Sequence, residues 1–151
     1  MINDAIKDYI KQKKSKNIFS NRKIEMATIE ILTACNFRCI HCYNQDLKKR
    51  YLKVNLFKNI IDQLVDSGCQ SVTITGGEPL LHPNFSEIYN YCFKKGLKVS
   101  LFTNGYYVDK YIELFKSFIP KKVEISLYGT NNATYKKYVK LKMDLKRFML
   151  T

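Results

Sequence analysis

The stretch SVTITGGEP, residues 71–79, runs a β-branched segment into two glycines, an acid and a proline. Val, Thr and Ile are stiff at χ1 and suit extended, buried backbone, so residues 71–75 read as a strand. The glycines then allow a tight turn, and Pro79 fixes the direction in which the chain leaves it.

Working outward, the same punctuation recurs. MATIEIL (26–32), LKVSLFT (97–103) and KVEISLYG (122–129) are further strands. Helical patterns separate them. In VNLFKNIIDQLVDSG (54–68), Leu56, Ile60, Ile61, Leu64 and Val65 recur at helical spacing and Gly68 offers a stop. NFSEIYNYCFKKG (84–96) again closes on glycine, VDKYIELFKSF (108–118) breaks at Pro120, and NNATYKKYVK (131–140) opens with Asn and Thr suited to capping. Strands beginning near 72, 97 and 122 keep an even interval of about 25 residues, the length of a βα unit, which implies parallel strands and right-handed crossovers. The expected fold class is α/β with four parallel strands. The closing LKMDLKRFMLT adds no recognisable element.

Composition excludes other classes. With 151 residues, 46% hydrophobic and 26% charged, the chain is globular rather than disordered. No apolar run approaches the ~20 residues of a membrane span, and MINDAIKDYIKQKKSKN lacks the layout of a secretory signal. Five cysteines, an odd number, then point to a cytoplasmic setting with reduced thiols. The net charge of +13 comes mostly from 22 lysines scattered along the chain, which reads as solvated faces and not as a specific nucleic-acid surface. Residues 1–22, with Ile2, Ile6, Tyr9 and Ile10 on one side, read as a helical extension ahead of a core at 23–151.

The unusual residues fall on one rim of this scaffold. CNFRCIHCY (35–43) follows the first strand, Gly76, Gly77 and Glu78 the second, and Asn104 and Gly105 the third. Ser126 lies late in the fourth, with Tyr128 and Gly129 at its end. The C-terminal edge of parallel strands is where such folds build their sites. Cys35, Cys39 and Cys42, spaced C-x3-C-x2-C in a polar loop, suit a metal better than burial. A structural zinc needs four tetrahedral ligands, and His41, adjacent to Cys42, cannot share one small ion with it without strain. A cubane cluster takes one thiolate per iron, so three cysteines leave one iron open. Cys69 and Cys92 read as buried small hydrophobes at packing positions. His82 reads as a turn residue before Pro83. His41 either packs or hydrogen-bonds beside the metal, and Phe37 and Tyr43 read as its shield from water.

CNFRCIHC with TGGEP downstream resembles the radical S-adenosylmethionine (SAM) superfamily, and FTNG (102–105) with EISLYG (124–129) extends the likeness over residues 26–140. NFRCIHCYN and ISLYG are most similar to the peptide-modifying (SPASM-type) maturase branch. The resemblance implies a partial (β/α) barrel, with a 4Fe–4S cluster on Cys35, Cys39 and Cys42 and SAM chelating the open iron. It further implies that Gly76, Gly77, Glu78 and Pro79 serve the amino end of SAM, and that Asn104 and Ser126 meet its ribose or carboxylate. Reduction of SAM would release a 5′-deoxyadenosyl radical that takes hydrogen from a substrate, a peptide being one candidate. The implied partners are SAM and a one-electron donor such as a flavodoxin or ferredoxin, with no membrane. Barrels of this family resemble six βα units, so the four here lead to the expectation of a truncated core or of one completed by another chain. The rival class is a non-catalytic iron–sulfur or zinc-binding protein.

Overall fold

Four short runs of β-branched residues alternate with helical segments and assemble into one parallel sheet in the computed structural model, which describes residues 24–44 and 49–139. The strands are β1 (Met26–Glu30), β2 (Ser71–Thr75), β3 (Lys98–Thr103) and β4 (Lys122–Ile125), side by side in chain order. The helices are α1 (Val54–Asp66), α2 (Phe85–Lys94), α3 (Ile112–Ser117) and α4 (Asn132–Val139), with short 3-10 turns at Pro79–Leu81 and Val108–Tyr111. This is the expected α/β class. The N-terminal helix expected over 1–22 and the closing residues 140–151 lie outside the described residues. Among the described residues, no helix is long and apolar enough to cross a membrane.

Alternation along the strands divides the sheet into two faces. Val72, Ile74, Val99 and Leu101 are buried, and with Ala27, Ile29 and Val123 they pack against Phe57, Ile61, Phe85, Ile88 and Phe115 from the helices. Their neighbours Thr28, Glu30, Phe102 and Glu124 face the other way and are exposed. Helix α1 sits slightly rotated from the expected phase: Phe57 and Ile61 are fully buried while Leu56 is 51% exposed. Helices α1 and α2 stop at Gly68 and Gly96, whose φ of 85° and 76° favours glycine.

Strand ends differ from the sequence expectation for identifiable reasons. The first strand leaves the ladder after Glu30 because the chain changes partner: Leu32 bridges Tyr51, and Thr33 N–H donates to the Arg50 carbonyl at 3.0 Å. The fourth ends at Ile125, opposite Thr103, so Ser126 lies one residue beyond the strand and donates a last N–H to Thr103 at 3.0 Å. Strand β3 ends there because the next N–H, that of Asn104, is taken by the Glu78 carboxylate at 2.7 Å. The expected helix at 108–118 begins as a 3-10 turn, with Tyr111 held between the Leu80 carbonyl and the Phe85 ring.

Candidate functional site

The sequence places two glycines after β2, and the fold uses both for backbone contact. A Cβ on Gly76 would lie 2.5 Å from the Leu32 oxygen, and one on Gly77 2.4 Å from the Ala34 oxygen. The turn is pressed against residues 32–34, and it is stitched there by Gly77 N–H to Leu32 O (2.8 Å) and Glu78 N–H to Ala34 O (2.9 Å). The cysteine loop therefore starts from a clamped base. Within the loop, Phe37 N–H points at the Cys35 sulfur (3.3 Å) and Cys42 N–H at the Cys39 carbonyl (3.1 Å).

A cavity of about 410 Å³ opens on the uncovered face at the C-terminal rim, a size within the range of small-molecule sites. Cys35, Cys39 and Cys42 line it together with Gly76, Gly77, Asn104 and Ser126. His41, Tyr43 and Tyr128 also reach it, as do Thr28, Thr75, Phe102 and Thr103, which no motif had singled out. Thr28, Thr75 and Phe102 share the inner face of three strands, a signal that becomes legible once the register is known, and Thr103, on the opposite face, reaches the cavity from the end of β3.

The donor set fits a cubane cluster. All three thiols are free and half-buried, and among the described residues no three His, Cys, Asp or Glu converge on a single ion. A cluster needs no such convergence, since each thiolate takes its own iron. Burial holds the Cys35 thiol above its ordinary value, with the Glu78 charge adding to the effect. Burial, then the charges of Cys35 and Cys42, pushes Cys39 up to about 11. Thiols so placed ionise only against a cationic partner. Asn36 adds a buried Nδ2 that has no acceptor among the described residues, a donor suited to a cluster sulfur beside Cys35.

Several expected residues sit differently from their sequence reading. Glu78, expected to accept from an ammonium, is 0% exposed and does not line the cavity. Its Oε1 accepts from Thr103 Oγ1 (2.7 Å) and Leu80 N–H (3.1 Å), and its Oε2 from Asn104 N–H. Burial raises the Glu78 carboxyl, and these three donors oppose the shift. Pro79 is buried at the start of the 3-10 turn that Glu78 caps, away from the cavity. Asn104 lines the cavity but turns its Nδ2 to Asn36 Oδ1 (2.8 Å) and toward the Cys35 sulfur (3.7 Å). Tyr43 is 81% exposed and too open to water to act as a shield, whereas Phe37 is 3% exposed. His41 is exposed with its ring 4.3 Å from that of Tyr128. His82 is a buried connector between Leu52 O and Asn84 N–H. Cys69 and Cys92, by contrast, are buried as expected, at 6% and 0% exposure, outside the cavity.

A second small core covers the loop. Phe37, Tyr135 and Val139 are buried together, with Cys35 and Cys39 packed beside them. Helix α4 begins at an Asn131 cap, whose Oδ1 accepts from Thr134 N–H, and its far end accepts from the loop: Ile40 N–H to Tyr138 O (2.9 Å) and Arg38 N–H to Val139 O (3.3 Å). Carbonyls of the last described turn of α4 and amides of the cysteine loop thus satisfy each other.

A parallel α/β sheet carrying three cysteines on one rim loop, with a glycine turn pressed beneath them, defines a cluster-binding βα protein. Residues 29–150 match the radical SAM superfamily, and the chain belongs to it. It is 39% identical over 113 residues to the antilisterial bacteriocin subtilosin biosynthesis protein AlbA of Bacillus subtilis (strain 168), covering 72% of this chain and 25% of that protein. It is 32% identical over 123 residues to the GTP 3′,8-cyclase of Aliarcobacter butzleri (strain RM4018), covering 77% of this chain and 38% of the cyclase. The fold matches Streptococcus suis SuiB, bound to the precursor peptide SuiA, with a TM-score of 0.73 at 17% identity, over 97% of this chain and 34% of SuiB. The chain thus spans well under half the length of these relatives. Members of the family use a 4Fe–4S cluster and SAM.

Proposed function

We propose that this chain is the cluster- and SAM-binding part of a radical SAM enzyme that abstracts hydrogen from a peptide. The observation that carries this reading is the cavity shared by Cys35, Cys39 and Cys42 with Gly76, Gly77, Asn104 and Ser126. Support for a peptide substrate comes from the likeness to a bacteriocin biosynthesis protein and, at the level of fold, to a protein solved with its precursor peptide.

In this reading Cys35, Cys39 and Cys42 would hold the cluster, which when bound would supply one-electron chemistry for the reductive cleavage of SAM. Phe37 N–H and Asn104 Nδ2 stabilise negative charge on the Cys35 sulfur. Phe37, Tyr135 and Val139 exclude water from one side of the loop. Thr28, Thr75 and Ser126 offer hydroxyls on the open face for a polar ligand.

The test is anaerobic purification followed by absorbance, metal analysis and assay of 5′-deoxyadenosine with dithionite and SAM. A brown protein holding about four irons, bleached by dithionite, is the expected result. A colourless protein with one zinc refutes it. Addition of precursor peptides or of nucleoside triphosphates then decides the substrate class by which one is consumed.

A further inference from the structure

Glu78 is the one acid among the largest fully buried side chains of the described residues. A carboxylate taken wholly out of water is costly unless its oxygens are satisfied. Here neutral donors satisfy them, drawn from two parts of the rim. Thr103 and Asn104 are the C-terminal end of β3 and the residue after it, and Leu80 is in the 3-10 turn. The Glu78 backbone N–H is meanwhile bonded to Ala34, the residue before Cys35.

Two routes lead from this residue to the same sulfur, and only the second uses its side chain. One runs through the backbone, from Glu78 to Ala34 to Cys35. The other runs through Asn104: Glu78 Oε2 fixes its N–H, and its Nδ2 reaches Asn36 Oδ1 and the Cys35 sulfur. Thr103 is locked as well, since its Oγ1 donates to Glu78 and accepts from Gly105 N–H at 3.0 Å.

We propose that Glu78 is a positioning residue for the cluster loop, holding Cys35 and the Asn104 turn in register, and not a ligand of SAM. This rests on the reading that the three cysteines hold a cluster. A chelator reaches cluster iron when the loop opens, so iron loss follows the opening equilibrium. Removing a buried hydrogen bond to a charged group shifts such an equilibrium by about tenfold or more.

The experiment loads the full chain with iron and sulfide anaerobically and compares it with Glu78→Gln, Thr103→Val and Thr103→Ser. Glu78→Gln keeps the shape but turns one acceptor into a donor; Thr103→Val leaves the carboxylate but removes one of its donors together with the acceptor of Gly105 N–H; Thr103→Ser keeps the hydroxyl and both bonds. Two quantities are read: the rate of bleaching by a ferrous chelator, and the SAM concentration that half-saturates the change in the cluster's paramagnetic resonance signal. Glu78→Gln and Thr103→Val should bleach about tenfold faster, with Thr103→Ser at the parent rate. SAM half-saturation of Glu78→Gln, measured on the clusters that remain, should stay within about twofold. If Glu78→Gln fails to fold, the contrast of Thr103→Val with Thr103→Ser decides in its place. Parent-like bleaching in Glu78→Gln and Thr103→Val overturns the proposal, and a large rise in SAM half-saturation alongside it makes Glu78 a SAM ligand. A parent that takes up no iron overturns the cluster reading itself, a result distinct from a parent whose cluster all variants hold equally well.

Discussion

Replacing Gly77 with Ala tests whether the glycine turn exists to seat the cysteine loop. The added methyl would sit 2.4 Å from the Ala34 oxygen and 2.5 Å from the Thr33 oxygen, both backbone atoms that no rotamer change can move aside. Relief requires residues 33–34 to retreat by about 1 Å, given an ordinary carbon–oxygen separation near 3.4 Å. That retreat stretches Gly77 N–H to Leu32 O and Glu78 N–H to Ala34 O, now 2.8 and 2.9 Å. Two weakened backbone hydrogen bonds at about 1 kcal/mol each, plus overpacking strain of similar size, give a loss of roughly 2–4 kcal/mol. The comparison is Gly96→Ala, where a Cβ meets nothing within 4 Å and the cost is only the left-handed backbone, about 1 kcal/mol. Urea unfolding of both variants, with iron content after reconstitution, measures the difference. Gly77→Ala should lose both stability and iron, Gly96→Ala a little stability and no iron. A Gly77→Ala midpoint equal to that of Gly96→Ala, with a full complement of iron, would refute the steric reasoning.

Alanine at Cys35, Cys39 or Cys42 should abolish iron binding, whereas Cys69→Ala and Cys92→Ala should retain it, because those two sulfurs lie in the helix-side core; iron analysis of the five variants decides. Tyr135→Ala should destabilise by about 2–4 kcal/mol and hasten chelation of cluster iron, since the ring is 2% exposed and packs edge-on against Phe37 at 6.3 Å. Unchanged chelation would show that α4 does not secure the loop. His82 carries the pH dependence: burial lowers its pKa, while the Leu52 carbonyl opposes the shift. The unfolded chain therefore binds the proton more readily, so the contribution of His82 is complete above its ordinary value near 6.5 and is lost as pH falls below it. The gap in urea midpoint between the parent and His82→Gln should shrink between about pH 7.5 and 5.5; a constant gap would count against the neutral imidazole.

Much of this architecture was legible before any contact was known. Residues 71–75 form the expected strand, and the βα rhythm became four parallel strands in chain order, because periodicity is a property of neighbouring residues. The three cysteines were found by their spacing for the same reason. At the helix boundaries Gly68 and Gly96 sufficed. Leu56 was misplaced because several phases of an apolar stripe fit one sequence, and only packing against β2 and α2 selects among them.

What the sequence by itself determined, then, is the order of elements, the rim on which the unusual residues gather, and the thiol spacing that suits a cluster. What only the tertiary structure decided is which of those residues faces the cavity and which is turned inward. Glu78 meets Asn104 across 26 positions, Asn104 meets Cys35 across 69, and α4 reaches back about a hundred residues to cover Phe37. The two glycines could have made room for a ligand; they make room for the backbone of residues 32–34. Such pairings depend on the register of β1 against β2 and of β2 against β3, where a slip of one residue would turn each strand's side chains to the opposite face. Local propensity sets the elements, but it carries no information about which of two distant polar groups will satisfy a carboxylate once water has been excluded from both.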